Sequence, residues 1–385
     1  AKMQADFGGR EGEYTITLLE NTTLAQDIVV PDCVTGIRFE SAREGVEHFD
    51  ENGEPIWIYD EAGNEIGIEG HDRITALTFD MNGHSITANC DMEWSEVLQI
   101  TNSSDEESEI YITKEANPGP DGYWPSFRGN WFEEGVELVD TDGKGFAFGN
   151  EYTFIDNVTI RVPNGRAEFD TVADGTHVVK GELIVSSFKA FQSKWELSDV
   201  TIVGSTDGSF IGEEAEVTVT GKTVWLGGAG VEVRGTLTFG DIVINANEEE
   251  PYANVWMEIV EVFDRDAEGT DEYFVGKGKL TFEGSIETAE NFKAGKAVHI
   301  SKKEVYYYQA RDEQGNPLFN DPDGNDPMIW EDQYWDLPFE SGETVAYVTD
   351  SSIKESLFGT NGSGISFEIV NQELKAYKSA VYVEF

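Results

Sequence analysis

Between Val158 and Ala246 the chain alternates apolar and polar residues in short pieces. They are Val158-Thr-Ile160, Leu183-Ile-Val185, Val200-Thr-Ile-Val203, Val217-Thr-Val219, Val231-Glu-Val233, Leu237-Thr-Phe239 and Ile242-Val-Ile244. Each piece is three or four residues long and rich in β-branched side chains, and Gly, Asn, Asp or Ser usually separates one from the next. A period of two with such residues predicts strands, and no helical period interrupts it. Short strands at close, uneven spacing predict rungs stacked on one another, a β-solenoid. A run of hairpins in a β-sandwich is the alternative.

The flanking sequence extends this pattern. Tyr14-Thr-Ile-Thr-Leu18, Ile28 to Val30 and Val34 to Phe39 read as strands, and the pattern resumes at Ile74. Between them, Asp50-Glu-Asn-Gly-Glu-Pro55, Ile56-Trp-Ile-Tyr59 and Asp60-Glu-Ala-Gly-Asn64 predict a protruding hairpin, with Gly53 and Gly63 supplying positive φ. Residues 103–135 break the rhythm with a charge run and a turn cluster. Beyond the coil, Val255 to Phe263 is one long alternating strand, and Tyr273 to Val275 returns from it as a wide hairpin. Val305-Tyr-Tyr-Tyr-Gln309 opens another, whose Asp312-Glu-Gln-Gly-Asn-Pro317 nearly copies the early insertion. Residues 1–250 are therefore expected to form the body, with the hairpin near 45–70 and the loop 103–135. Residues 251–385 form an accessory β region with acidic hairpin loops.

Charge changes the picture most. The chain carries 75 acidic against 26 basic residues, a net −49, which argues against nucleic acid and anionic membrane surfaces as partners. Hydrophobic residues at 39% nevertheless provide for a packed core. No apolar segment reaches the ~20 residues that span a bilayer. The chain begins at Ala1 without an initiator Met and reads as a mature chain after signal-peptide removal, secreted or at the cell surface. Cys33 and Cys90 leave open a disulfide or two small buried hydrophobes. Asn21, Asn102, Asn157 and Asn361 each open an Asn-x-Ser/Thr triplet.

Three kinds of site are candidates. Hard cations such as calcium favour clustered carboxylate and amide oxygens. Asp321, Asp323, Asn325 and Asp326, with Asp332 further on, supply one such run, and Asp264, Asp266 and Glu268 before Gly269 supply another. Each is a partial match to a calcium loop. In the second, position twelve is Val275 rather than an acid; in the first, the Gly is misplaced. Turn chemistry alone also accounts for both. Tyr123, Trp124, Phe127, Trp131 and Phe132 form an aromatic run whose flat faces could stack on sugar rings, or pack as a loop across the coil. The five histidines are scattered, with no zinc spacing. Gly227-Gly-Ala-Gly230 lacks the helix and Lys of a phosphate loop. The basic residues of the coil (Arg161, Arg166, Lys180, Lys189, Lys194, Lys222, Arg234) show no spacing that marks a catalytic base.

The opening rungs resemble a known family. Asn21, Thr23, Leu24, Ile28, Pro31 and Val34, followed by Asp80, Asn82, Gly83 and His84, are similar to secreted bacterial and archaeal proteins with a pectate-lyase-like, right-handed parallel β-helix. The likeness covers roughly the first 100 residues, less the hairpin. It implies fold far more than activity, because adhesins, surface-layer components and enzymes share these rungs. A lyase of this kind would carry an acidic calcium cluster and a basic residue on one face.

The expectation is an all-β protein: a right-handed parallel β-helix with hairpin insertions and an accessory C-terminal β region. Its expected role is non-enzymatic, as a self-assembling, calcium-stabilised subunit of a surface layer, filament or matrix. The terminal strands, near Tyr14 and at Ala380 to Phe385, would join copies into an oligomer or polymer. A carbohydrate-binding adhesin is the first alternative, with surface glycans as partner. A polysaccharide lyase or hydrolase is the second.

Overall fold

The computed structural model describes residues 12–31, 34–41, 57–59, 65–68, 77–94, 98–113, 126–128, 154–169, 176–204, 208–227, 229–244, 254–265, 272–290, 292–293, 295–309, 330–360 and 364–378. The described residues are almost entirely strand, with one short 3₁₀ turn at Glu355–Leu357 and no α-helix among them. No helix there is long and apolar enough to cross a membrane. The chain divides into two compact units: 1–205 with 217–223, and 206–216 with 224–385.

In the first unit the strands are β1 (Gly12–Leu18), β2 (Thr22–Thr23), β3 (Ile28–Val29), β4 (Val34–Ser41), β5 (Trp57–Tyr59), β6 (Glu65–Ile68), β7 (Leu77–Asp80), β8 (Ile86–Ala88), β9 (Asp91–Trp94), β10 (Leu98–Thr101), β11 (Glu109–Ile112), β12 (Ser126–Arg128), β13 (Phe154–Asp156), β14 (Thr159–Phe169) and β15 (Thr176–Ile202). Apart from the antiparallel hairpin β5–β6, they pair in three parallel ladders. One joins β1, β4, β9, β12, the end of β14 and residues 187–190 of β15. The next joins β2, β7, β10, β13 and the start of β15. The third joins β3, β8, β11, the start of β14 and the middle of β15. The chain visits the ladders in the same cyclic order throughout. Register partners lie twenty-one residues apart at Leu77↔Leu98 and twenty-four at Ile86↔Ile110. The pair Gly36↔Asp91 is further apart because the β5–β6 hairpin intervenes.

In-register parallel pairing places like positions above one another, so alternation becomes columns of core side chains. Ile86, Ile110, Ile160 and Leu183 form one such column, all buried. Phe39 stacks on Trp94, with ring centroids 4.3 Å apart. Cys90 is fully buried in this interior.

The short pieces read from sequence are longer here. β15 alone runs 27 residues. The polar and glycine separators bend the strand rather than end it, because the backbone stays extended through the corner. Gly181 marks one corner: a Cβ there would lie 1.7 Å from the Val158 carbonyl oxygen.

The second unit holds both ends of β16 (Ser209–Trp225), whose residues 217–223 belong to the first, and continues through β17 (Ala229–Val233), β18 (Thr236–Ile244), β19 (Val255–Arg265), β20 (Glu272–Lys277), β21 (Lys279–Phe282), β22 (Ile286–Thr288), β23 (Val298–Gln309), β24 (Trp330–Leu337), β25 (Glu343–Val348), β26 (Phe358–Gly359), β27 (Ile365–Val370) and β28 (Glu373–Lys378). Parallel ladders recur: β16–β17–β19–β23–β26, β18–β21–β25, and the end of β18 with β22. Antiparallel pairs are added to them, β19 with β20, β23 with β24, and β28 with both β25 and β27. The hairpins expected from sequence at Val255 to Val275 and from Val305 onward correspond to the antiparallel pairs β19–β20 and β23–β24. The strand-like end, 380–385, lies outside the described residues.

Candidate functional site

The residues that converge with the most chemistry lie on the outer face of the ladder β16–β17–β19–β23. Along β19, Val255, Met257 and Ile259 point into the core, so Trp256 and Glu258 point out. Parallel register sets Phe210, Glu232, Glu258 and Ser301 in one row across four strands. Stacking two carboxylates in neighbouring strands is unfavourable unless each is neutralised. Arg234 Nε donates to Glu232 at 2.6 Å, and Lys303 Nζ lies 2.8 Å from Glu258. The Arg234 side chain is only 5% exposed. Its guanidinium lies 4.8 Å from the Phe210 ring centroid and 5.7 Å from that of Tyr334, and it donates to the Tyr334 hydroxyl. Such burial of a cation requires these partners.

One row further along, the His299 ring packs on Trp256 with centroids 4.7 Å apart. Burial, and then the nearby Lys296 charge, lower the His299 pKa and favour the neutral imidazole.

Towards their C-terminal ends β19 and β23 join β20 and β24 in a four-stranded sheet. One face carries a row of rings. Phe274 meets Phe263 edge-on at 5.5 Å, Phe263 stacks on Tyr306 at 5.0 Å, and Trp335 meets Tyr306 edge-on at 5.0 Å. The other face is held by Val260, Val262 and Val305, all fully buried. At the base of the ring row stand four alternating charges. Lys277 lies 3.2 Å from Glu261 and 2.9 Å from Glu343, and Lys302 lies 2.9 Å from each of the same carboxylates. Tyr273, Phe274 and Val275 of β20 are 58%, 60% and 51% exposed. They are three consecutive exposed residues with large apolar parts, on a strand with one described neighbour, β19.

The residues predicted from sequence are placed unevenly. Asp266, Glu268, Asp321, Asp323, Asn325 and Asp326 lie outside the described residues, as do Tyr123, Trp124, Trp131 and Phe132. Asp264 and Asp332 sit on β19 and β24, where the backbone register pairs both with Tyr307 of the intervening β23. Of the two acidic runs, these two residues are the described members. Phe127 lies on β12, in register with the core residues Met92 and Ala167. Among the described residues no group of three or more His, Cys, Asp or Glu is placed to hold a metal ion.

Trp256, His299, Glu232, Glu258, Arg234 and Lys303 were not singled out together from sequence. Their signal was present in the alternation Val255-Trp-Met-Glu-Ile259, whose outward positions are aromatic and acidic. Comparison of the chain with family models, curated proteins and solved structures gives no match.

Proposed function

We propose that this chain is a non-enzymatic extracellular structural protein that assembles with copies of itself into a surface layer, filament or matrix. Its units are right-handed parallel β-helical coils of the pectate-lyase-like kind, with hairpins added in the C-terminal region. The cyclic order of the three ladders in the first unit, and its in-register stacking, support that fold. The assembly reading is carried by the exposed apolar strand Tyr273–Val275 at the edge of the four-stranded sheet. Because the chain carries −49 charges, contact between copies requires screening or bridging by cations. Calcium is the bridging ion of this proposal, with the acidic runs at Asp264–Glu268 and Asp321–Asp332 as ligand sources.

Electron microscopy of the isolated protein, with and without a calcium chelator, tests this. Filaments or sheets that disperse on chelation support the whole proposal. Assemblies indifferent to chelation keep the structural role and remove calcium from it. A dispersed monomer under both conditions defeats assembly.

A second reading, a carbohydrate-binding adhesin, is favoured by the outward Trp256–His299 pair and the ring row ending at Trp335. Retardation in gels containing neutral polysaccharides, lost in Trp256→Ala or Trp335→Ala, would select it; migration unaltered by every polysaccharide would remove it.

A further inference from the structure

The four Asn-x-Ser/Thr triplets are chemically equivalent in sequence, and the structure separates them. N-linked glycosylation joins the asparagine Nδ2 to C1 of an oligosaccharide carried on a lipid phosphate. The N–C1 bond forms, the C1–O bond to phosphate breaks, the lipid phosphate leaves with the electron pair, and the amide gives up one proton. The bulky product must then fit the folded chain.

Asn102 does not permit it. The residue is 9% exposed. Its Oδ1 accepts the N–H groups of Gly83 at 2.9 Å and Ser104 at 3.1 Å, and its Nδ2 donates to the Glu106 carbonyl at 2.7 Å. A sugar on Nδ2 would force the turn apart. Asn157 stands one rung away in the same column of turns, where the Asn102 N–H donates to the Asp156 carbonyl at 3.1 Å. It is exposed, and none of the hydrogen bonds among the described residues uses its side chain. Its φ of 58° places it in the left-handed turn between β13 and β14. Thr159, which completes the triplet, is fixed by its N–H to the Ser108 carbonyl at 3.0 Å. Asn21 is also exposed, but its Oδ1 accepts the Thr78 N–H at 2.9 Å and ties it to the neighbouring rung. Asn361 lies outside the described residues.

We propose that Asn157 is a glycan acceptor of this protein and that Asn102 is not. The proposal rests on the extracellular location proposed above. The test is peptide mass spectrometry of the protein from its source, after an amidase that releases N-glycans in heavy-oxygen water. Isotopic Asp at position 157 and an unmodified Asn102 peptide are expected. A bare Asn157 in protein recovered from the surface or medium overturns the proposal and leaves the location standing. Recovery only from the cell interior overturns the location, and the proposal with it. Thr159→Ala provides the second variant, because it removes the acceptor triplet while keeping Asn157 in its turn. It should lose one glycan in mass, whereas Ser104→Ala should lose none. A glycan on Asn102, or no mass change in Thr159→Ala, refutes the assignment.

Discussion

Asp80 shows how single residues hold the parallel ladders together. Its Oδ1 accepts the N–H groups of Asn82 at 3.0 Å and Ser103 at 2.9 Å, and its Oδ2 accepts the Ser103 hydroxyl at 2.7 Å. One carboxylate thereby fixes its own turn and the turn of the next rung. Asn82, with φ 49°, takes the left-handed conformation, and its Nδ2 donates back to the Leu24 carbonyl of the previous rung at 3.1 Å. The Asp80-x-Asn-Gly-His motif was visible in sequence as a structural turn. The partner that completes it, Asn102, was not, because nothing in a linear sequence says which rung lies above which. Asp80→Ala should destabilise the first unit by about 0.5–1.5 kcal/mol in urea unfolding, since it removes three hydrogen bonds whose exposed donors then turn to water. Burial pushes the Asp80 pKa up, but the hydrogen bonds from Ser103 and Asn82 outweigh it and hold the carboxyl below its usual value. Its contribution is therefore full above the unfolded pKa and is lost as pH falls through the folded one. An Asp80→Ala chain should show a shallower loss of stability on acidification than the parent.

At the scale of elements, the cluster Glu261–Lys277–Lys302–Glu343 ties β19, β20, β23 and β25 into one body. Burial raises the Glu343 pKa, yet the Glu340 N–H, Lys277 and Lys302 overcome this and hold it down at about 2. Lys302 is desolvated too, and its bonds to Glu261 and Glu343 still leave its pKa raised. Stability from Glu343 is thus present above its unfolded pKa of 4.5 and disappears as pH falls toward 2. Glu343→Gln should cost about 1–3 kcal/mol near neutral pH, reduced from a fully buried pair because the site is partly wet. Hydrogen exchange of β20 should speed up in this variant. Unchanged protection there would mean the cluster does not hold the hairpin. The core columns obey a different rule. Ile110→Ala leaves a void between Ile86 and Ile160, and it should lower stability by about 2–5 kcal/mol. Hairpins β19–β20 and β23–β24 were legible from their alternating runs and intervening turn residues. The ring row they carry was not, because Phe263, Phe274, Tyr306 and Trp335 come from four strands whose register only pairing sets.

For the molecule as a whole the dominant fact is −49 charges against a core of ordinary apolar content. Self-repulsion of this size destabilises compact states and is screened by salt, whose Debye length falls from ~30 Å at 0.01 M to ~3 Å at 1 M. The melting temperature should therefore rise with sodium chloride over that range. If calcium binds, millimolar calcium should raise it further at equal ionic strength; identical curves for calcium and magnesium would leave general screening as the explanation. Assembly belongs to the same scale: Tyr273→Ser with Val275→Ser should disperse filaments or sheets without shifting the melting of the monomer, since both side chains are exposed and stand outside the ring row. The sequence by itself determined that the chain is all-β, where most strands and hairpins begin, and which partners its charge repels. These follow from local alternation, turn residues and summed charge, which need no knowledge of neighbours. Only the tertiary structure decided that strands pair parallel in cyclic ladders and that separators bend strands instead of ending them. It alone brought Glu232, Arg234, Trp256, Glu258, His299 and Lys303 onto one outer face. Those outcomes depend on register between segments distant in the chain, and a shift of one residue would turn each of these side chains to the opposite face.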